Sequence, residues 1–73
     1  MKIKVLPVGV VKAFTGPRII DLPEGADGHS LLEAIGLPAK LRIMIFVNGG
    51  KQKNDQPLSE GDEVKLVSSL GGG

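Results

Sequence analysis

The chain has 73 residues, enough for one domain and too few for a second. It has no cysteine, which excludes disulfides, thiolate metal and iron–sulfur sites and a cysteine nucleophile. Nine basic residues against eight acidic ones leave a net charge of +1, and the aromatic residues are two Phe with no Trp or Tyr. That balance gives no strong electrostatic reason to expect nucleic acid or membrane as a partner, and so few rings give base stacking poor support. There is no apolar run of membrane-spanning length and no signal-peptide pattern, which fits a soluble, cytoplasmic protein. A chain this short buries only about 60% of its unfolded surface, so modest stability is expected.

The opening "MKIKVLPV" alternates Lys2 and Lys4 with Ile3 and Val5, the period of a strand with one buried face. Pro7 removes a ladder donor, so a bulge or an edge position is expected there. The run continues through "GVVKAF" to a turn at Thr15-Gly16-Pro17, and "RIIDLP" follows as a second strand, so the first half reads as a hairpin. In "PEGADGHSLLEAIGLP", Leu31, Leu32 and Ile35 form the apolar stripe of a short helix. Asp27 or Ser30 is its cap and Gly36 its stop.

"KLRIMIFVNGG" is the most apolar stretch and suggests a central strand covered on most of both sides. Leu41, Ile43, Ile45 and Val47 share one face; Arg42, Met44 and Phe46 share the other. "NGG" supplies turn chemistry, and "KQK" returns as a short strand. After the polar loop "NDQPLSEGD", "EVKLVSS" is the last strand, with Val64 and Leu66 opposite Lys65 and Val67.

The order β-β-α-β-(β)-β places the helix across one face of a mixed sheet of four to five strands. The right-handed crossover rule favours parallel pairing of the first and last strands at the centre. That arrangement is an α+β fold, the β-grasp or ubiquitin-like fold, spanning residues 1–70 and followed by a flexible glycine tail, 71–73.

The closing "PLSEGDEVKLVSSLGGG", the "VNGGK" turn and the "IIDLPEGA…LLEAIG" passage resemble the MoaD/ThiS sulfur-carrier family over nearly the whole chain. Two features depart from that pattern. Ser68-Ser69-Leu70 stands where molybdopterin-type members usually carry prolines, and three glycines close the chain rather than two. The resemblance implies that Gly73, preceded by Gly72, is the reactive terminus, or Gly72 preceded by Gly71 if Gly73 is extra. It also implies the partners: an E1-like adenylating enzyme that uses ATP, a sulfur donor protein and a sulfur-accepting synthase subunit. The carrier itself binds no cofactor. The implied product is a C-terminal thiocarboxylate that donates sulfur in cofactor biosynthesis, molybdopterin ahead of thiamine because of the long first hairpin "FTGPRIIDLPEGA".

The alternation proposes a docking face of Leu6, Arg42, Met44, Phe46 and Val67 with Lys4 and Lys65 at its rim. Ordinary sheet packing explains Met44 and Phe46 equally well, and a one-residue slip would exchange the two faces. His29 reads as an exposed or capping residue of the first helical turn. Asn48 to Gly50 form a turn, since no helix follows to make a phosphate cradle. Glu60, Asp62 and Glu63 read as a solvated turn, not a metal site. No nucleophile–base pair or metal cluster supports enzyme activity in the chain itself. A protein modifier joined through its terminal glycine to lysines, or a passive β-grasp interaction module, fits the same features.

Overall fold

The computed structural model describes residues 1–68, the side chain of Ala39 excepted; the expected tail 71–73 and the boundary at residue 70 lie outside the described residues. Five strands form one mixed sheet: β1 (Lys2–Pro7), β2 (Arg18–Asp21), β3 (Ile43–Val47), β4 (Gly50–Gln52) and β5 (Glu63–Ser68), in the order β2-β1-β5-β3-β4. The first and last strands pair parallel at the centre, from Lys4 opposite Glu63 to Pro7 opposite Leu66, and every other pairing is antiparallel. Helix α1 (Gly28–Ile35) covers one face, and Leu31 joins Ile3, Val5, Ile45, Val64 and Leu66 in the fully buried core. This is the expected β-grasp arrangement.

The first hairpin differs from its sequence reading. "GVVKAF" does not prolong β1: Gly9 takes φ +61, and Gly9–Ala13 wind into a 3-10 turn that buries Val11 and leaves Val10 outside. A strand would have sent Val11 and Val10 to opposite faces along a straight ladder, but β2 supplies no partner beyond Arg18 opposite Val5. The same limit explains Pro7, which is neither in a bulge nor on an edge strand. On the β5 side, Lys4 and Val8 donate their N–H groups to Asp62 and Leu66, both at 2.9 Å. By alternation the missing donor of Pro7 faces β2 beyond its last pair, where no ladder bond is lost.

The third strand also begins later than its apolar pattern. Ala39–Leu41 form a 3-10 turn that buries Leu41, and Arg42 at φ +49 redirects the chain before Ile43. Arg42 therefore precedes the strand, and the alternation that set it beside Met44 and Phe46 does not reach it. The strand is interior but flanks the edge strand β4, and the middle of the sheet is β5. "NGG" closes the β3–β4 hairpin as a two-residue turn, with Asn48 at φ +50 and Gly49 at φ +89 between the paired Val47 and Gly50. Two positive φ values make it type I′, the turn whose twist matches that of the strands.

Asp27 is the helix cap: its Oδ1 accepts from the Ser30 N–H at 3.0 Å and from the Ser30 hydroxyl at 3.1 Å. Gly36 ends the helix in the left-handed region at φ +82, its N–H bonded to the Leu32 carbonyl. The helix start is pressed against its surroundings. A Cβ on Gly28 would stand 2.7 Å from Ile45 Cδ1 and 3.0 Å from the Asn54 backbone. The His29 N–H donates to the Asn54 carbonyl at 3.1 Å, and the Leu58 N–H donates to the Ala26 carbonyl at 2.8 Å. The loop after β4 is thus laced to the helix entry by backbone bonds.

Gly28→Ala is expected to lower stability by about 1–3 kcal/mol, the range for overpacking, read from the denaturant midpoint. The cap gives a pH signature. The hydrogen bond from Ser30 holds the Asp27 carboxyl below its ordinary value of 3.8, so folding favours the ionised form. Its stabilisation is complete above the unfolded value of 3.8 and is lost as pH falls below that through the lower folded value. Asp27→Ala should therefore melt below the wild type at neutral pH, and the difference should shrink as melting is repeated in progressively stronger acid.

Candidate functional site

With Ile3, Val5, Ile45, Val64 and Leu66 facing the helix, period 2 sends Lys4, Leu6, Met44, Phe46, Lys65 and Val67 to the opposite face. The register then fixes who meets whom. Leu6 lies opposite Lys65, Lys65 opposite Phe46, and Phe46 opposite Lys51, making one row across four strands. Met44 and Val67 form the next row. Leu6, Met44, Phe46 and Val67 are each half-buried, while Lys4, Lys51 and Lys65 are exposed. Four of the five sequence-predicted docking residues are thus brought together, and Arg42 stands apart, exposed, ahead of the strand.

The electrostatics of this face are basic. Lys4 Nζ is 3.8 Å from Glu63 Oε2, a solvent-exposed pair of small energetic weight. Lys51 and Lys65 have no ion pair among the described residues. Lys51 was not singled out in the sequence, because its place on this face follows only from the turn register opposite Phe46. That register was legible in principle from "NG", which predicts a two-residue loop and so pairs Val47 with Gly50 and Phe46 with Lys51.

The last strand is held on both sides up to its end. Ile43 lies opposite Ser68, and the Ser68 hydroxyl donates to the Leu41 carbonyl at 2.7 Å. On the other side the Val8 N–H donates to the Leu66 carbonyl at 2.9 Å. At the start of the strand, Asn48 Oδ1 accepts from the Glu63 N–H at 3.0 Å and Asn48 Nδ2 donates to Asp62 Oδ1 at 2.9 Å. The last strand is therefore fixed in mid-sheet as far as Ser68. Gly71, Gly72 and Gly73 lie outside the described residues.

The other polar candidates have structural employment. The Glu60 carboxylate accepts the Lys2 N–H, and the Asp62 carboxylate accepts the N–H of Ser59 and the amide of Asn48. His29 sits exposed in the first helical turn, with Asp27 acting as the cap. Asp21 lies 3.2 Å from Lys2 Nζ and 3.3 Å from the Met1 amine, and the hydrogen bond from Lys2 chiefly lowers its pKa. Among the described residues no group of three or more His, Asp or Glu side chains could hold a metal ion. No helix among them is long and apolar enough to cross a membrane.

Comparison with known proteins places this geometry. The model of the ThiS family matches residues 5–73, nearly the whole chain. The chain belongs to the ThiS family. Three solved structures are similar to this ThiS-family protein. SAMP1 from Haloferax volcanii superposes with a TM-score of 0.82 at 16% identity, covering 100% of each chain. A Pyrococcus furiosus protein assigned as subunit 1 of a molybdopterin converting factor gives 0.76 at 26% identity, over 94% of this chain and 98% of that one. A chain in the complex of subunits 1 and 2 of the Helicobacter pylori molybdopterin-converting factor gives 0.67 at 22% identity, covering 100% of each. No match was found among the curated proteins.

Proposed function

We propose that this chain is a sulfur carrier, loaded at its C-terminal glycine. The observation that carries the reading is the family match, which runs through residue 73 and so includes the glycine tail as well as the fold. The chemistry follows from the tail. A carboxylate is a poor electrophile at neutral pH, so one of its oxygens first attacks the α-phosphorus of ATP on an E1-like partner. Pyrophosphate leaves and an acyl-adenylate forms. A sulfur nucleophile at the oxidation level of hydrosulfide, delivered by a sulfur donor protein, then attacks the acyl carbon. AMP leaves and a thiocarboxylate remains, with no net redox change. Gly73 and Gly72 suit this path because residues without Cβ allow close backbone approach in a narrow channel.

The sulfur is then passed to a precursor held by a synthase subunit. The Pyrococcus protein, assigned as subunit 1 of a molybdopterin converting factor, and the Helicobacter complex of subunits 1 and 2 favour molybdopterin over thiamine as the destination. On this reading the chain is carried substrate, and the catalytic groups belong to its partners.

Intact mass of the protein purified gently from its host tests the loading. A species heavier by the difference between sulfur and oxygen, localised to Gly73 or Gly72, is the expected result. A single unmodified mass after incubation with ATP, the adenylating partner and a sulfur source would count against it. Higher-mass conjugates on an immunoblot would point to protein modification instead. The docking face has its own test. Phe46→Asp places a charge in the row between Lys65 and Lys51, where the side chain is half-buried. It should weaken binding to the synthase subunit by about tenfold or more in calorimetry while the far-ultraviolet dichroism spectrum stays native.

A further inference from the structure

Apart from Val11, the 3-10 turn between β1 and β2 belongs neither to the core nor to the docking face. Val11 is fully buried, yet Val10 is 51% exposed, Phe14 48% and Val8 39%, so three large apolar side chains stand outside within seven residues. Single exposed apolar residues need no explanation, but a cluster does. Phe14 is one of only two aromatic residues in the chain, and its N–H is tied to the Val11 carbonyl at 2.9 Å. That bond fixes the backbone of Phe14 at the end of the turn.

Its location decides what it meets. The turn packs against β5, and the Val8 N–H is bonded to the Leu66 carbonyl, two residues before the strand ends at Ser68. Residues 69–73 number five and can reach at most about 18 Å when fully extended. A partner that reacts with Gly73 or Gly72 must bring its own surface up to this end of the sheet, whatever else it touches. The apolar turn lies within that approach. By contrast Ile19, the most exposed large apolar residue at 68%, lies opposite Lys4, which pairs with Glu63 at the other end of β5. Five residue steps, about 17 Å, separate Glu63 from Ser68 along the strand, and Ile19 lies two strands across from Glu63 besides.

We infer that Val10 and Phe14, on the 3-10 turn beside the end of β5, form a second contact for the adenylating partner, whose matching surface is the apolar rim of the channel that takes the tail. The inference rests on the sulfur-carrier reading. The turn acts by binding and orientation and takes no part in the chemistry. Burying two exposed apolar side chains lengthens the residence of the carrier while the tail threads.

The test is ATP–pyrophosphate exchange by the adenylating enzyme of the same host at varied carrier concentration. The double variant Val10→Ser with Phe14→Ser should raise the KM for the carrier about five- to tenfold with kcat retained, the size expected when two anchoring side chains are truncated. Ile19→Ser should leave both constants unchanged. Thermal melting accompanies each variant, and the single Val10→Ser replaces the double variant if that one melts early. An unchanged KM would overturn the inference while leaving the carrier reading intact. Self-association of the wild type in sedimentation that the double variant lacks would assign the patch to a second copy and overturn it too. Failure of the wild type to support any exchange would remove the carrier reading, and the inference with it.

Discussion

The parallel pairing of β1 and β5 is the constraint on which the rest of the structure depends. It joins residues 4–7 to residues 63–66 and sets the two most regularly alternating strands side by side at the centre. Once they are joined, Ile3 and Val5 share a face with Val64 and Leu66, and that face must be covered. Among the described residues the helix is the only long element able to do so, and Gly28 lets its first turn settle against Ile45. The two edge strands add to a sheet whose inside and outside are already decided. Hydrophobic burial supplies the drive, but the pairing chooses which residues are buried.

Much of this was legible because alternation is a physical signature. Lys2, Ile3, Lys4 and Val5, and again Val64 to Val67, announce their faces without help from distant residues. Asp27, Gly36 and "NG" are equally explicit, since each satisfies a local backbone requirement. The "GVVKAF" segment misled because Val and Phe favour strands, and what overrides them is the absence of a partner strand past Arg18. Arg42 misled because alternation assumes extended backbone, and its φ of +49 breaks that assumption one residue before β3. Gly28 resembles a permissive spot in sequence and is the reverse in the structure, because closeness to Asn54 is a tertiary fact. Four members of the docking face came from period 2 alone, and Lys51 needed the hairpin register. The glycines lie outside the described residues, so their role rests on family membership and chemistry.

The two faces of the sheet differ in composition. One is covered by the helix, and among the described residues it contains no buried polar or charged residue. The other keeps half-buried apolar residues among lysines, a composition that favours association with a surface carrying complementary acidic groups at its rim. A domain of this size has little stability to spare, and substitutions on the reverse of the core can be made without opening it. The small energetic weight of the exposed Lys4–Glu63 pair is consistent with that.

The long reach of the central pairing also governs how the protein comes into being. Lys4 waits for Glu63, 59 positions later by their numbers, before the middle of the sheet can close. Contacts this remote in sequence slow folding, because loop closure precedes any gain from the contact. During synthesis the helix and the first hairpin emerge with an open flank and nothing to seal it. A chain broken off before Glu63 lacks the strand that both β1 and β3 pair with, so it has no route to a native sheet. Incomplete copies are left with their core residues uncovered. Only a chain synthesised through its last strand can present a surface for a partner to hold.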